Sequence, residues 1–450
     1  MIAGAGRVGQ NVARELVQFG FDIVIIEKNA KAAAMLESSL DVRVIREDAL
    51  NVNALRQAVK EAPDAFIAVT ESDEVNLAAC LLAGKMGAKK KAARIRNEEW
   101  FSGGLLSMEE LGLDMVIHPE AETVSHISRV LGIHGAFDYS EAAGGEASLM
   151  GFSVQEGLPI IGMPLHKIKE EFALDAFLVI GVLRDGRFLV PSGADSIAAH
   201  DKLWVLTAKE TEPFVMAIFR QREGRPMRRM VILGASLIGS RLARMYVDRG
   251  VAVTLVESDP AVARRAGEQL EKVEVLNVNV ESETEFLMDL DPASIDCFVA
   301  ASLDSKDNMM MSLLAKRIGV NKVVVVTDET TYIPVLDAIG LDLVVNPHNI
   351  TAGKILTSMR KGMVRSVVML RAGVADLLEF MVTPGSRMDG KKLLNAGFPK
   401  GAIVGMVIRT GELIIPDGET VFEGNDKVIV VAIREKIEAV EKLFASGMLI

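Results

Sequence analysis

The chain has 450 residues, 50% of them hydrophobic and 25% charged, and at roughly 100–200 residues per domain this is material for about three or four domains. Its net charge of −11, from 50 basic and 61 acidic residues, excludes a general nucleic-acid binder, which needs a basic footprint; a small anionic ligand held by local backbone amides stays open. Two cysteines, Cys80 and Cys297, make no disulfide framework or zinc site and read as buried thiols of a cytosolic protein, and no apolar run reaches the ~18 residues that a membrane span needs.

At the start, only Met1–Ala3 precede Gly4, where a Rossmann strand of about five residues is expected, so the first strand reads as short and the start as misplaced or trimmed. Arg7 and Arg14 interrupt this Gly-rich segment, which lacks the apolar core of a signal peptide. A helix over Val8–Phe19 follows. Apolar strand runs come next at Ile23–Ile26, Val42–Ile45, Ala65–Val69 and Ala92–Ile95, with a further helix over Asn76–Met86. Strands alternating with helices predict a parallel sheet covered on both faces. After Pro119, Val124, Ile127, Val130 and Leu131 fall at helical spacing; this helix packs on its own core, or it is a crossover or dimerisation helix, and spacing does not choose. Residues 140–147 read as a loop. Phe177–Leu183, Asp185-Gly186 and Trp204–Leu206 read as strand, hairpin turn and strand, and residues 220–229 as a charged linker.

The pattern then recurs. Gly4-Ala5-Gly6-Arg7-Val8-Gly9 returns as Gly234-Ala235-Ser236-Leu237-Ile238-Gly239, and Ile23–Glu27 as Val253–Glu257, both shifted by 230. Ile117-His118-Pro119 returns as Val345-Asn346-Pro347, shifted by 228, while Val190–Gly193 and Asp201–Leu203 return 225 residues on as Ile415–Gly418 and Asp426–Val428. Five landmarks in order are a duplication. The fold class is α/β: two Rossmann-like, doubly wound parallel-sheet domains (1–135 and 227–361), each followed by a small α+β domain (136–226 and 362–450).

Gly4-x-Gly6-x-x-Gly9 is a dinucleotide fingerprint. Gly4 permits the tight turn, Gly6 lets the backbone approach a pyrophosphate, and Gly9 lets the helix pack on the strand. The helix N-terminus then faces the phosphates with free N–H groups and its positive dipole end. Glu27, 18 residues after Gly9 at the end of an apolar strand, suits ribose hydroxyls and repels a 2′-phosphate. Strand ends converge beside such a ligand. They bring Asp48 toward the adenine edge, Thr70, which ends its strand with Glu71, toward the pyrophosphate with a backbone and a hydroxyl, and Arg94 toward a phosphate, for which its planar fork is suited. The alternative for Arg94, flanked by Lys89, Lys90, Lys91 and Arg96, is a solvated basic surface.

The second copy keeps Gly234, Ala235, Leu237, Ile238, Gly239 and Glu257, but Ser236 replaces the middle glycine. Asn277-Val278-Asn279 corresponds to the Asp48 stretch, and Val326 corresponds to Arg94, counting back from Tyr332 as the partner of Trp100. This site is either occupied with fewer phosphate handles or vestigial. The six histidines, His118, His126, His134, His166, His200 and His348, form no metal-spaced pair. His118 and His126 read as surface residues of one helix. Neither a serine nucleophile elbow nor a Tyr-x-x-x-Lys pair appears, and a hydride-transfer enzyme needs an acid/base beside its nicotinamide.

The fingerprint, Glu27, the run Ala68–Asn76, Ala93–Arg96 and Ile117–Glu120 together resemble the N-terminal domain of the regulator-of-potassium-conductance (RCK) family. The β-rich parts resemble its C-terminal domain. Two tandem copies covering the whole chain are similar to the TrkA family of peripheral subunits of Trk potassium uptake systems. The resemblance implies a non-enzymatic gating ring, a homotetramer at the cytoplasmic face of the inner membrane, acting on an integral membrane potassium channel. It also implies NAD(H) and ATP or ADP at Gly4–Val8, Glu27, Thr70, Glu71 and Arg94, with a second site at Gly234–Ile238 and Glu257. The chain departs from the family where Glu47 stands for the usual glycine before Asp48, and again at Ser236. The rival readings are an NAD-dependent oxidoreductase and a scaffold with vestigial sites.

Overall fold

A computed structural model of the chain describes residues 1–18, 21–58, 63–97, 100–101, 107–172, 174, 176–219, 226–280, 282, 285–359, 364–370 and 374–445. The expected helix end at Phe19 and residues 220–225 of the expected linker lie outside the described residues.

The first repeat runs β1 (Ile2–Ala3), α1 (Arg7–Gln18), β2 (Val24–Ile26), α2 (Ala30–Ser39), β3 (Arg43–Ile45), α3 (Val52–Ala58), β4 (Ala65–Ala68), α4 (Asp73–Lys85), β5 (Lys90–Arg94), β6 (Met115–Ile117) and α5 (Pro119–Leu131). It continues as β7 (Ala136–Ala142), β8 (Ala147–Ser153), α6 (Leu165–Glu171), β9 (Phe177–Arg184), β10 (Arg187–Leu189), β11 (Lys202–Ala208) and α7 (Glu212–Phe219). The second repeat runs β12 (Arg229–Leu233), α8 (Leu237–Asp248), β13 (Ala252–Glu257), α9 (Pro260–Gln269), β14 (Glu274–Asn277), α10 (Phe286–Asp289), β15 (Cys297–Ala300), α11 (Ser305–Arg317), β16 (Lys322–Val326), α12 (Ile333–Ala338), β17 (Leu343–Val345) and α13 (Pro347–Met359). It ends with β18 (Val364–Leu370), β19 (Ala375–Met381), β20 (Ala402–Arg409), β21 (Glu412–Ile414), β22 (Lys427–Ile433) and α14 (Ile437–Phe444).

Two six-stranded parallel sheets have the doubly wound orders β3-β2-β1-β4-β5-β6 and β14-β13-β12-β15-β16-β17. Their central strands are β-branched and aliphatic because both faces are covered; Met230, Val231 and Ile232 have no exposed surface. As expected, β1 is short, two residues against five in β12, yet Ile2 still pairs with both Ile25 and Ile67. Side-chain oxygens start the helices: Asn29 caps α2, Ser72 caps α4, Asp259 caps α9 and Asp304 caps α11.

The two five-stranded sheets share one antiparallel order, β10-β9-β11-β8-β7 and β21-β20-β22-β19-β18. Two expectations need correction here. Residues 140–142 and 147 are strand and residues 143–146 turn between them; polar Asp138, Ser140 and Glu141 sit on β7, the sheet's edge strand. The turn at Asp185-Gly186, both at positive φ, returns into β10 and not into the Trp204 strand, which pairs with β8 and with the other edge of β9. The short β10 is largely exposed and left no apolar run to read. The repeated Asp-Lys landmark places a buried carboxylate against an arginine that reaches the surface: Asp201, 1% exposed, takes two hydrogen bonds from Arg184, at 2.8 and 2.7 Å, and Asp426 takes two from Arg409.

The chain forms two compact units. One holds Met1–Thr123, with the first parallel sheet, together with Asn346–Met359. In it α13 packs along α1, burying Thr351, Ala352 and Ile355, and Lys354 Nζ lies 2.6 Å from Glu122 Oε1. The other holds Val124–Val345 and Arg360–Ile450. There the end of α5 meets the second parallel sheet's elements: Arg249 Nη1 donates to Ser128 Oγ at 2.9 Å and Lys322 Nζ to Val130 O at 3.4 Å. The helix after the last strand of each parallel sheet, α5 or α13, therefore reaches elements of the other repeat. In the same unit the small sheets share one core of Leu149, Trp204 and Leu206 with Leu377, Met406 and Ile429. Gly405 lets them approach, since a Cβ there would lie 2.8 Å from Leu206 Cδ2.

Candidate functional site

The first fingerprint sits at the switch point, where β1 lies between β2 and β4. Gly4 has φ +101° and a Cβ there would lie 2.9 Å from Thr70 N; at Gly9 a Cβ would lie 2.0 Å from Gly4 O. Both glycines are dictated by the turn itself. Gly6 is not: a Cβ there meets nothing within 4 Å. Its missing side chain leaves open space in front of the α1 N-terminus. Gly6 and Arg7 are exposed, whereas Ala5 and Val8 are buried and offer only backbone.

Glu27 turns back onto the glycine loop. Its Oε2 accepts from Ala5 N and its Oε1 from Asn29 N, both at 2.6 Å. The carboxylate is thereby aimed at the crevice, with lone pairs left for hydroxyl donors. Asn76 is fully buried and lies outside the glycine fingerprint. Its Oδ1 accepts from Thr70 N at 2.8 Å and Thr70 Oγ1 at 2.7 Å, while Nδ2 donates to Thr70 O at 3.2 Å and Arg94 O at 2.8 Å. It staples the ends of β4 and β5. The available signal was its recurrence as Asn308, which binds Ser302 and Val326 in the same way.

Arg94 is not a solvated surface residue. Its side chain is 13% exposed and Nη2 donates to Glu120 Oε1 at 2.9 Å. Its Nε is buried with no partner, as are His118 Nδ1 and His348 Nδ1. His348, in the first turn of α13, is pushed down to about 4 by burial and then by Arg7 and Arg94, against the pull of Glu120. Thr70 and Arg94 are thus joined through Asn76 at the strand ends, and Glu27 is joined to the glycine loop through Ala5 N. Asp48 and Glu71 are exposed beyond their strand ends, and Asp48 Oδ1 accepts from Leu50 N at 2.8 Å, a turn that leads into α3. His126 is half-buried, and that burial lowers its pKa.

The second site keeps the frame. Gly234 has φ +96°, Gly239 packs on Gly234 O, and Glu257 Oε2 accepts from Ala235 N at 2.8 Å. Ser236, however, closes the helix start: its Oγ donates to Ala301 O at 2.6 Å and accepts from Gly239 N at 3.2 Å. Leu237 stands where the first copy has Arg7. Val326 stands where it has Arg94, a register secured by Asn308 Nδ2 donating to Val326 O at 2.9 Å. Ile238 is buried. The two sites differ in the groups that would answer phosphate charge. Cys80 and Cys297 are buried thiols pushed up to about 12 by desolvation, so neither is a nucleophile at neutral pH. Among the described residues no three His, Cys, Asp or Glu gather to hold a metal, and no helix is long and apolar enough to cross a membrane.

Known proteins share this arrangement. The TrkA-N domain matches residues 1–119 and again 230–347, and the TrkA-C domain matches 377–445. The chain is 30% identical over 445 residues to the Trk system potassium uptake protein TrkA homolog of Archaeoglobus fulgidus, covering 99% of both. It is 31% identical over 454 residues to the Trk system potassium uptake protein TrkA of Halomonas elongata, covering 100% of this chain and 99% of that one. Among solved structures, the GsuK channel matches with a TM-score of 0.63 at 15% identity, over 99% of this chain and 78% of that chain. The GsuK channel bound to NAD matches at 0.60 and 16%, with coverage of 99% and 78%. At such identity the likeness establishes the fold, two tandem RCK-type pairs.

Proposed function

Because the chain belongs to the TrkA family, we propose that it is a non-catalytic, nucleotide-responsive regulatory subunit that gates a separate potassium-conducting membrane protein. The observation that carries this is the unequal pair of sites. The first keeps an open Gly6, Glu27 aimed at the ribose position, and two arginines. The second has its helix start capped by Ser236 and lacks both arginines. NAD(H), ATP and ADP are the ligands this first crevice suits, and the GsuK channel of like fold binds NAD.

The subunit acts as a homotetramer at the cytoplasmic face of the inner membrane, and the pore belongs to its partner. Its own part is to bias that pore between states, which a ligand does only through different affinity for the two arrangements. Typical coupling is about 1–3 kcal/mol, or roughly 5–150-fold. Arg94, already paired with Glu120 at 2.9 Å, is the group whose partner a terminal phosphate would change. The test is potassium flux in vesicles holding channel and regulator together. ATP and ADP should differ in effect, and Arg94→Ala should blunt the difference. Equal action of both nucleotides on the unmodified protein would refute the regulatory reading. Sustained NADH oxidation, on the order of 1 s⁻¹ or more, would replace it with an oxidoreductase.

A further inference from the structure

The first nucleotide site is not built from the first repeat alone. Helix α13 belongs to the second repeat in sequence, yet it packs along α1 in the unit that holds the first parallel sheet. By the repeat register, Ile117-His118-Pro119 against Val345-Asn346-Pro347, His348 is the counterpart of Glu120. The unit therefore carries both versions of one helix start, an acidic one on α5 and an imidazole on α13. His348 feels Arg7, Arg94 and Glu120 together.

We infer that His348 is a specificity-determining residue of the first repeat's nucleotide site, donating a hydrogen bond to the terminal phosphate of a nucleoside triphosphate beside Arg7 and Arg94. This deepens the nucleotide-binding reading above and rests on it. Three buried nitrogens of this unit, Arg94 Nε, His118 Nδ1 and His348 Nδ1, have no hydrogen-bond partner. Buried polar groups are almost always satisfied, and each orphan is costly. An anion rich in acceptor oxygens supplies what the arginine and a protonated ring nitrogen lack.

The choice of imidazole is also explicable. With its pKa pushed down to about 4, His348 is neutral at ordinary pH and offers one N–H without adding a third positive charge beside two arginines. A carboxylate there, as at Glu120, would repel a phosphate. Glu120 itself is held by Arg94 at 2.9 Å. Since α13 follows β17 of the second sheet, a phosphate touching His348 makes the second repeat a party to binding at the first. The second crevice has no such set, with Leu237 and Val326 at the two arginine positions.

Calorimetric titration of the full chain with ATP, ADP and NADH tests this, using His348→Ala, His348→Phe and His348→Gln. Loss of one hydrogen bond to a charged group should weaken ATP roughly tenfold or more in the Ala and Phe variants. ADP and NADH should stay within about twofold, and Gln, a neutral donor, should restore most of the loss. An unchanged ATP to ADP ratio in both the Ala and Phe variants overturns the role of His348 and leaves the nucleotide site standing. Equal weakening of all three ligands makes His348 merely structural and also overturns it. If the unmodified protein binds none of the three, the nucleotide-binding reading and the role of His348 fall together. Should the Ala variant fail to fold, the Phe and Gln pair decides by the same ratio.

Discussion

Replacing Gly6 by serine would write the second site's distinguishing residue into the first. The position tolerates a side chain, because a Cβ there meets nothing within 4 Å. By the repeat, the new hydroxyl would face Gly9 N and Val69 O, the counterparts of Gly239 N and Ala301 O, to which Ser236 bonds at 3.2 and 2.6 Å. Serine caps a helix slightly better than glycine, so folding should be unchanged or improved by a few tenths of a kcal/mol. Binding should suffer, because the hydroxyl occupies both the helix-start amide and the space a pyrophosphate needs. A lost hydrogen bond to a charged group is worth about 1.5–3 kcal/mol, which is roughly ten- to hundredfold in affinity. Calorimetry with NADH and ATP, beside thermal unfolding of the ligand-free protein, reads both effects. Gly6→Ser protein that unfolds at the unmodified temperature and still binds within twofold would refute the reasoning. The reverse change, Ser236→Gly, should leave binding at the first site untouched.

Three further outcomes are expected. NADPH should bind much more weakly than NADH, since a 2′-phosphate would meet Glu27, whose carboxylate is fixed by Ala5 N and Asn29 N; a competition titration in which NADPH wins contradicts this. Asp201→Ala should destabilise the protein by about 1.5–3 kcal/mol, because the buried Asp201 carboxylate accepts two hydrogen bonds from Arg184 and one from Ala198 N. Denaturant midpoints measure that loss, and a change under about 0.5 kcal/mol would make the repeated Asp-Lys landmark energetically idle. Acid should weaken the fold in a defined window. The unfolded chain protonates His348 near 6.5 and the folded chain only near 4, so between these values the unfolded state holds more protons and stability falls as pH falls. His126, lowered by burial too, adds to the slope. His348→Gln should flatten the dependence between pH 6.5 and 4, and an unaltered slope would contradict the assignment.

Several features were legible because they are local. Gly4 and Gly9 must be glycine wherever this turn is made, since a Cβ collides with the turn's own backbone. The β-branched runs mark strands buried on both faces, and the matching landmarks 225 to 230 residues apart record the duplication directly. Polar edge strands were harder. Neither β7 nor β10 makes an apolar run, so periodicity marks neither as a strand.

What only the tertiary structure decided is which surfaces meet. Helical spacing in Val124–Leu131 tells which face is apolar but not what covers it, and the covering partner lies in the other repeat. Arg94, among lysines in sequence, has its guanidinium sheltered by Glu120, which the start of α5 brings to it from 26 residues on. His348 stands 254 residues beyond Arg94, and nothing in either stretch of chain predicts that the two share a charge cluster. Periodicity reports each element's need for burial; the pairing that satisfies the need is a property of the packed molecule, so the duplicated frame and the substitutions Ser236 and Val326 are readable along the chain, while the meeting of Arg94 with Glu120 and His348 belongs to the packing.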